Sequence, residues 1–290
     1  MKGRVALLVM EDLSGFECYD HLLIKPMAAI GWQAEMVPWT ADVDWGHYDA
    51  IVIRAPWDYQ QKPEVFLQTL DVMEASGTPV FNPVDVVRWN LCKTYLKDLN
   101  EKGVPILPTQ WEERLTRETV LRACEMFDGG KVVLKPWISA NADHTYVVCS
   151  DSLDDQWPSI EASFASRRAM LQPFVDDICH EGEYSLFYFA GEYSHAILKT
   201  PAEGDFRVQE EHGGRIRSVT PPTPLPELSE HLLSTIQPLL YVRLDWVRWQ
   251  NGWALMEAEL IEPSLYFNMD EASPARFARA FDRWMKGYQS

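Results

Sequence analysis

The chain has 290 residues, and its 47% of hydrophobic residues are enough for one large domain or for two to three small, closely packed ones. Its 43 acidic residues outnumber 26 basic ones, and the net charge of −17 argues against nucleic acids and anionic membranes as partners. The sequence has no apolar run of membrane-spanning length, no signal-peptide pattern and no CxxC spacing among its five cysteines, so we expect a soluble cytoplasmic protein with free thiols.

The first eighty residues alternate short apolar strands with helices. We predict strands at 5–9, 35–39, 48–54 and 79–81, and helices at 19–30 and 63–76. This alternation indicates a parallel sheet covered on both faces, and the absence of GxGxxG disfavours a dinucleotide-binding fold. Because ligands of such sheets gather beyond the carboxyl ends of the strands, we expect Arg54, Asp58 and Tyr59 at a substrate mouth. The alternative is a loop that only caps the sheet.

Two lysines of the next hundred residues have contrasting surroundings. Lys93 lies within a helix that we predict over 82–103, where a solvated lysine would be ordinary. Lys135 lies in the apolar strand 131–136, where an unpaired charge is costly. We therefore expect Lys135 to face an anion or a carboxylate.

The remaining elements up to the C-terminus follow from turn signals and apolar periodicity. In chain order we predict a flap made of loop 137–144 and strand 145–149, a helix at 154–166, an apolar, edge-like segment at 170–175 broken by Pro173, two strands about a turn at Ala190-Gly191, a mobile binding loop at 203–214, and helices at 228–240 and 273–286.

The stretch 241–268 predicts a hairpin that turns at Gln250-Asn251-Gly252, because Asn-Gly is a strong hairpin signal. Glu257 and Glu259 alternate along its second strand and so share one face, which Asp245 on the first strand could join. Three unpaired carboxylates would repel each other, and Mg²⁺, which prefers oxygen ligands and commonly brings a phosphate, is the usual remedy. An ordinary exposed strand face with alternating acids is the alternative.

The order of these motifs resembles the ATP-grasp ligases along nearly the whole chain. The matching sequences are Lys93 ahead of GVPILPT, VVLKP with Lys135, QPFV with Gln172, GEYSLFYF with Glu183, ILKTP with Lys199, and RLDWV with MEAELIEPS. The sequences YSLFYFAGEYSHAILKTPAEGDFRVQ and ELIEPSLYF are most similar to the glutathione-synthetase-like branch, particularly to the ligases that form D-cycloserine from O-ureido-D-serine.

The resemblance implies an α/β ATP-grasp fold of three domains, with ATP and Mg²⁺ bound between the second and third. These would be an N-terminal preATP-grasp parallel α/β domain at 1–90, a central lid domain at 91–175, and a C-terminal metal-holding sheet domain at 176–290. Such enzymes activate a carboxylate as an acyl-phosphate, which a nitrogen nucleophile then displaces. Their protein groups mainly position the reactants and neutralise charge on the transferring phosphoryl group.

The resemblance also implies a role for each matching residue. Lys93, Lys135 and Lys199 would contact the phosphates of ATP, with a hydrogen bond from Ser139. Gln172, Phe174 and Val175 would form the hinge that meets the adenine, and Glu183 would bind the ribose. Asp245, Glu257 and Glu259 would hold two Mg²⁺ ions. Arg207, Arg243 and Lys199 would stabilise the charge that develops during transfer. Arg54, Asp58, Tyr59, Arg207 and Ser264 would contact the substrate.

Three positions depart from the family pattern. Glu259 stands where many relatives carry asparagine, so the charge at the metals would differ. Ser185 stands where glutathione synthetases tend to have arginine, which argues against glutathione synthesis. The loop 137–144 has no glycine run for cradling phosphate, although Ser139, Asn141 and His144 could donate hydrogen bonds.

These observations together predict an ATP- and Mg²⁺-dependent ligase that forms a carbon–nitrogen bond on a small amino-acid-like carboxylate in specialised metabolism. The first hypothesis is an internal cyclisation, as in D-cycloserine formation. The second hypothesis is a ligase that joins two amino acids, and the third is a nucleotide-binding protein without ligase activity. Dimerisation is common among such enzymes and stays open.

Overall fold

The computed structural model describes residues 1–127, 130–139 and 142–289, and within these ranges the strands form three sheets. The first sheet contains β1 (Gly3–Val9), β2 (Trp32–Pro38), β3 (Ala50–Ala55) and β4 (Val80–Phe81), all parallel in the order β2-β1-β3-β4. Its helices are α1 (Ile24–Ala29), which follows a 3-10 turn at Asp20–Leu23, α2 (Pro63–Ala75) and α3 (Val84–Asn90). All six residues of β3 are buried, as expected for a strand covered on both faces, and the predicted parallel sheet is confirmed.

The second sheet is antiparallel and contains four strands in the order β5-β8-β6-β7. These are β5 (Gln110–Glu112), β6 (Val132–Pro136), β7 (Tyr146–Val148) and β8 (Ala169–Pro173), with helices α4 (Tyr95–Glu101), α5 (Arg117–Met126) and α6 (Leu153–Phe164). The prediction of an edge-like segment at 170–175 is wrong, because β8 lies between two partners. Pro173 is the last residue of β8, where it ends the strand and does not mark an edge.

The third sheet is antiparallel, in the order β11-β10-β9-β12-β13. Its strands are β9 (Glu183–Phe189), β10 (Glu192–Thr200), β11 (Arg215–Ser218), β12 (Tyr241–Trp249) and β13 (Gly252–Glu259), with helices α7 (Asp177–His180), α8 (Pro224–Thr235) and α9 (Ser273–Gln289). The turn at Ala190-Gly191 has positive φ at both residues, which matches the twist of a tight hairpin. Helix α8 ends at Thr235, earlier than the predicted 240, and Ile236 is extended two residues before Pro238, which cannot continue a helix.

The first and third sheets share an apolar core that the C-terminal helix completes. Leu7 and Val52 of the first sheet belong to the same buried cluster as Phe187 of β9 and as Phe277 and Phe281 of α9. This packing sets the carboxyl end of the first sheet beside the β12–β13 hairpin. Among the helices of the described ranges, none has the length and apolar character needed to span a membrane.

The long helix predicted over 82–103 is interrupted, and the interruption contains Lys93. Helix α3 ends at Asn90, and its side chain completes the edge of the third sheet. Its amide nitrogen donates to the carbonyl of Ala258 (2.9 Å), and its oxygen accepts from the backbone N–H of Leu260 (3.1 Å). The chain resumes a helix only at Tyr95. Lys93 therefore points from a short turn toward β13 and is not a residue of a continuous helix.

Candidate active site

A cavity of about 220 Å³ lies where the three sheets meet. Of the residues assigned to a site from the sequence, those that line it are Tyr59, Lys93, Lys135, Ser139, Gln172, Phe174, Val175, Glu183, Lys199, Arg207, Arg243, Asp245, Glu257, Glu259 and Ser264. The structure thus brings together side chains that are far apart in the chain. Asn141, a predicted donor of the loop, lies outside the described residues.

The β12–β13 hairpin gives the cavity its charged wall. The predicted pairing of its strands is present, with Asp245 opposite Glu257 and Arg243 opposite Glu259. Because alternate residues of a strand share a face, Arg243 and Asp245 both project with the glutamates. The wall therefore contains its own cation among its carboxylates.

Asp245 is the most heavily paired carboxylate of this wall. It accepts from Arg243 (Nη2–Oδ2 3.0 Å), from Lys199 (Nζ–Oδ2 3.3 Å) and from the hydroxyl of Ser185 (2.5 Å). Burial alone would raise the pKa of Asp245, but Arg243 and Lys199 outweigh it and hold the value at about 2. Lys199 also contacts Glu183 (2.6 Å), so this lysine is shared by two buried carboxylates, and they raise its pKa against the effect of burial.

The two glutamates of β13 have separate cationic partners. Glu257 pairs with Lys93, which holds its pKa down against the effect of burial. Glu259 pairs with Arg243, yet burial dominates and raises its pKa to about 8. Of the two glutamates of β13, Glu259, the one that departs from the family pattern, therefore binds its proton more tightly.

The predicted metal ligands are close together but are each engaged with a lysine or an arginine. No group of three or more acidic, histidine or cysteine side chains within the described ranges is arranged to hold a metal ion. The donor chemistry nevertheless fits Mg²⁺, because carboxylate oxygens are the ligands that this cation prefers. Carboxylates also outnumber cations among the lining residues, so the cavity would receive an anionic ligand more readily together with a divalent cation.

Lys135 differs from the other cations of the cavity. Among the described residues, its ammonium hydrogen-bonds only to the side-chain oxygen of Gln172 (3.3 Å) and the sulfur of Met256 (3.4 Å). No carboxylate of the described residues lies within 4 Å of it, whereas Lys93, Lys199, Arg207 and Arg243 all have such a partner. Burial lowers the pKa of Lys135. An anion bound beside it would compensate the buried charge.

One end of the cavity is apolar. Phe174 follows β8 and meets the ring of Phe206 edge-on, with ring centres 6.2 Å apart. Val175 is buried with Leu107 in a small apolar cluster. The side chain of Gln172 is occupied by Lys135 and by the hydroxyl of Thr109 (3.0 Å), which leaves main-chain groups for a ligand. Phe206 is a lining residue that the sequence reasoning did not select.

Two residues assigned to the substrate are not in the cavity. Arg54 is completely buried. It donates from Nε to the carboxylate of Asp20 (2.7 Å) and from Nη2 to the carbonyl of Pro263 (2.7 Å). Asp58 accepts from the indole N–H of Trp39 (2.7 Å). Neither lines the cavity, so the assignment of both as substrate contacts is corrected to a structural role. Arg207 does line it, paired with Asp205 (2.8 Å) at the predicted binding loop.

The segment 261–265, which we name the carbonyl strap, contains the predicted substrate residue Ser264, but its backbone anchoring and the position of Glu262 in the cavity were not predicted. Each of its five carbonyls meets a side-chain nitrogen or hydroxyl: Ile261 meets Tyr241 (2.8 Å), Glu262 meets Trp57 (2.9 Å), Pro263 meets Arg54 (2.7 Å), Ser264 meets Arg243 (3.3 Å) and Leu265 meets His195 (3.1 Å). These partners come from the first and third sheets. The strap is thus held along its backbone while Glu262 and Ser264 line the cavity.

Comparisons with known proteins agree with this geometry. Residues 5–82 match a family model described as D-cycloserine synthetase DcsG, N-terminal domain. The cycloserine biosynthesis protein DcsG of Streptomyces lavendulae is 29% identical over 286 residues, which cover 91% of this chain and 93% of that protein. A crystal structure of D-cycloserine synthetase DcsG superposes with a TM-score of 0.84 at 26% identity and covers 98% of this chain and all of that chain.

More distant structures share the fold. An ATP-grasp RimK domain protein from Sphaerobacter thermophilus has a TM-score of 0.69 at 18% identity, covering 96% of this chain and 98% of its own. D-alanine–D-alanine ligase from Bacillus anthracis, solved in complex with ATP, has a TM-score of 0.68 at 15% identity, with 99% of both chains covered. The chain therefore has the ATP-grasp fold of these structures, and it is similar to D-cycloserine synthetase along nearly its whole length.

Proposed function

We propose that this protein is an ATP- and Mg²⁺-dependent carbon–nitrogen ligase that activates a small amino-acid-like carboxylate as an acyl-phosphate and closes it onto a nitrogen of the same molecule. The ligase class is supported by the similarity to D-cycloserine synthetase over nearly the whole chain. We also propose the domain bounds 1–90, 91–175 and 176–290, since each range contains the strands of one sheet.

The observation that carries the proposal is the unpaired ammonium of Lys135 in a cavity rich in paired charges. Lys135 would contact a phosphate of ATP, because a polyphosphate supplies the anion that no described carboxylate provides within 4 Å of it. Lys93 and Lys199 lie in the same cavity and would exchange their carboxylate partners for phosphate oxygens. Fixed cations at the transferring group stabilise the charge that it develops.

Asp245 and Glu257, released by that exchange, would hold the metal together with Glu259, the partner of Arg243. The three carboxylates supply oxygen donors on one face of the paired strands β12 and β13. When bound, Mg²⁺ would neutralise phosphate charge and keep the transferring group oriented. Arg243, which lies between Asp245 and Glu259, would orient both carboxylates and then face the group being transferred.

The apolar end of the cavity suits a nucleotide base. Phe174 and Val175 would meet the adenine ring through apolar contact and main-chain groups, and Ser139 would assist at the phosphates. Glu183 would bind the ribose after giving up Lys199. Three other lining residues would contact the carboxylate substrate: Tyr59, Arg207 and Ser264.

The test is ADP and phosphate release from Mg-ATP with amino acids, D-serine derivatives and short peptides, each supplied alone and in pairs. Release with a single compound, together with a cyclised product, is the expected result. Release only with pairs would favour a ligase that joins two amino acids. ATP binding without release under any condition would overturn the ligase and favour a nucleotide-binding protein.

A matched pair of variants ties the activity to the cavity. Lys135→Met should lower ADP release by about 10²-fold or more, because one preorganised charge at a transferring group is worth that much. Lys62→Met, which removes an exposed lysine ahead of α2, should leave the rate unchanged. Equal activity in the two variants would refute the assignment of Lys135.

A further inference from the structure

Glu262 is a carboxylate of the cavity that the ATP and metal assignments do not use. Its neighbours Glu183, Asp245, Glu257 and Glu259 each pair with a lysine or an arginine. Glu262 lines the same cavity, yet no basic nitrogen of the described residues lies within 4 Å of its carboxylate. A carboxylate removed from bulk water without a cationic partner is costly unless it binds a proton or a cation from a ligand.

The position of this carboxylate is fixed from two directions. The carbonyl strap holds its backbone, since Trp57 donates to the carbonyl of Glu262 (2.9 Å) and Arg54 to that of Pro263 (2.7 Å). The hydroxyl of Tyr59 faces its side chain and lowers the pKa of the carboxyl, and the Tyr59 ring is itself stacked on Phe66 with centres 4.6 Å apart. A side chain held this way is preorganised for a ligand and has little freedom to turn toward solvent.

We propose that Glu262 binds the attacking nitrogen of the substrate and takes up its proton as the carbon–nitrogen bond forms. The inference rests on the proposed ligase function and assigns one step of it. The nitrogen transfers a proton to the Glu262 carboxylate, and its electron pair forms the bond to the acyl carbon. The bond from that carbon to the phosphate oxygen breaks, and inorganic phosphate leaves with the bonding pair. Glu262 then releases its proton to water.

The surroundings of Glu262 fit a proton acceptor. Burial and the nearby Glu257 raise the pKa of Glu262 to about 7, although the Tyr59 hydroxyl from the first sheet and Lys93 between α3 and α4 oppose the rise. A base whose pKa lies near the working pH is present in its ionised form and still binds a proton strongly. Glu262 is also separate from the hairpin carboxylates assigned to the metal.

The experiment separates activation of the carboxylate from attack by the nitrogen. Glu262→Gln keeps the shape of the side chain and its capacity to accept from Tyr59, but it cannot take up a proton. Wild type and variant are supplied with Mg-ATP and a compound that the wild type cyclises, with and without hydroxylamine. Hydroxylamine is unprotonated at neutral pH and intercepts the acyl-phosphate without help from a base.

For Glu262→Gln we expect product formation to fall by about 10²-fold or more. ADP release with hydroxylamine should stay within a few-fold of the wild type, and the acid limb of the pH–rate profile near pH 7 should disappear. Glu161→Gln, at an exposed position of α6, should retain the wild-type profile. Thermal unfolding of each variant verifies that the fold is intact.

Each outcome decides between the assignments. Full product formation by Glu262→Gln, or an unchanged acid limb, overturns the role of Glu262 and leaves the ligase standing. Equal loss of product and of hydroxylamine-dependent ADP release places Glu262 in activation and also overturns the proposal. Absence of ADP release in the wild type, with and without hydroxylamine, overturns the ligase itself.

Discussion

The buried pair of Arg54 and Asp20 offers the sharpest test of the structure against the first interpretation of the sequence. Arg54 is 0% exposed, and its guanidinium contacts the Asp20 carboxylate, the carbonyl of Pro263 and the face of Tyr241, 4.8 Å from the ring centre. Arg54→Met removes the charge and both hydrogen bonds while keeping an unbranched side chain. Asp20 is then buried without a cationic partner, with only the weak contact of the Cys18 thiol (3.5 Å) on its carboxylate.

The expected loss of unfolding free energy is about 3–5 kcal/mol, the usual cost of removing one member of a buried ion pair. The matched control is Arg88→Met, which breaks a surface pair with Asp71 and should cost at most about 1 kcal/mol. Asp20→Asn should weaken the fold as well. The double variant should lose less than the sum of the two single losses, because the second substitution removes a charge that is already unpaired.

The assay is urea unfolding followed by both tryptophan fluorescence and circular dichroism, which must give the same midpoint for the comparison to hold. A substrate contact in an open mouth predicts the opposite pattern, with little change in stability and a large rise in substrate KM. If Arg54→Met unfolds like Arg88→Met and only its KM changes, the structural role of Arg54 is refuted.

Three further predictions concern single positions. Glu262 binds its proton more tightly in the folded protein, so the stability that it contributes is present below its unfolded pKa near 4.5 and is lost as the pH rises through about 7. As the pH rises from 4.5 to 8, the free energy of unfolding of Glu262→Gln, measured with urea, should therefore increase by up to about 3 kcal/mol relative to that of the wild type. Burial lowers the pKa of His195 from 6.5 to about 4, so its effect on stability has the opposite sign. The free energy of unfolding should fall by up to about 3 kcal/mol as the pH drops from 6.5 to 4. If the difference in unfolding free energy between wild type and His195→Gln does not change over this pH range, the prediction is contradicted. Gly182 has φ 105°, and a Cβ there would lie 2.6 Å from the carbonyl of Lys199. Gly182→Ala should cost about 1–3 kcal/mol in thermal or urea unfolding, more than Gly191→Ala, whose added Cβ meets nothing within 4 Å.

The parts of the site that depend on local geometry could be predicted from the sequence. The hairpin and the alternation of Glu257 and Glu259 need only a turn signal and a period of two, although the turn itself is formed by Gln250 and Asn251, with Gly252 already paired to Trp249. The same period places Arg243 beside Asp245, so the cation of this wall was open to the same argument. The partners of the carboxylates could not be predicted in this way. Lys93 reaches Glu257 only because the helix breaks after Asn90, whose side chain is bound by the distant strand edge at Leu260.

The buried ion pair of Arg54 follows from the same principle that led us to expect a partner for Lys135. A charge in an apolar strand was expected to need a partner at Lys135, and Arg54 ends a run that is just as apolar. The rule about carboxyl ends of strands led to the substrate mouth instead. The rule locates an edge of the sheet, but it does not say whether a given side chain turns outward or into the core.

The order of strands in the second sheet could not be predicted from the sequence, for a different reason. The strands β5 and β7 have three residues each, and such short strands take their pairing from the surrounding packing and not from their own pattern. The parallel first sheet was simpler, because continuous apolar runs separated by helices leave few alternatives.

The carbonyl strap has a consequence for how the specificity of this fold can diverge. Its anchors are main-chain oxygens, so they do not depend on which side chains the strap carries. Position 264 can therefore change residue type while the backbone that presents it to the cavity stays where it is, whereas position 262 must keep the carboxylate of the proposed base. A library limited to position 264 should yield many folded variants with altered substrate preference, and divergence of related enzymes has the same route available.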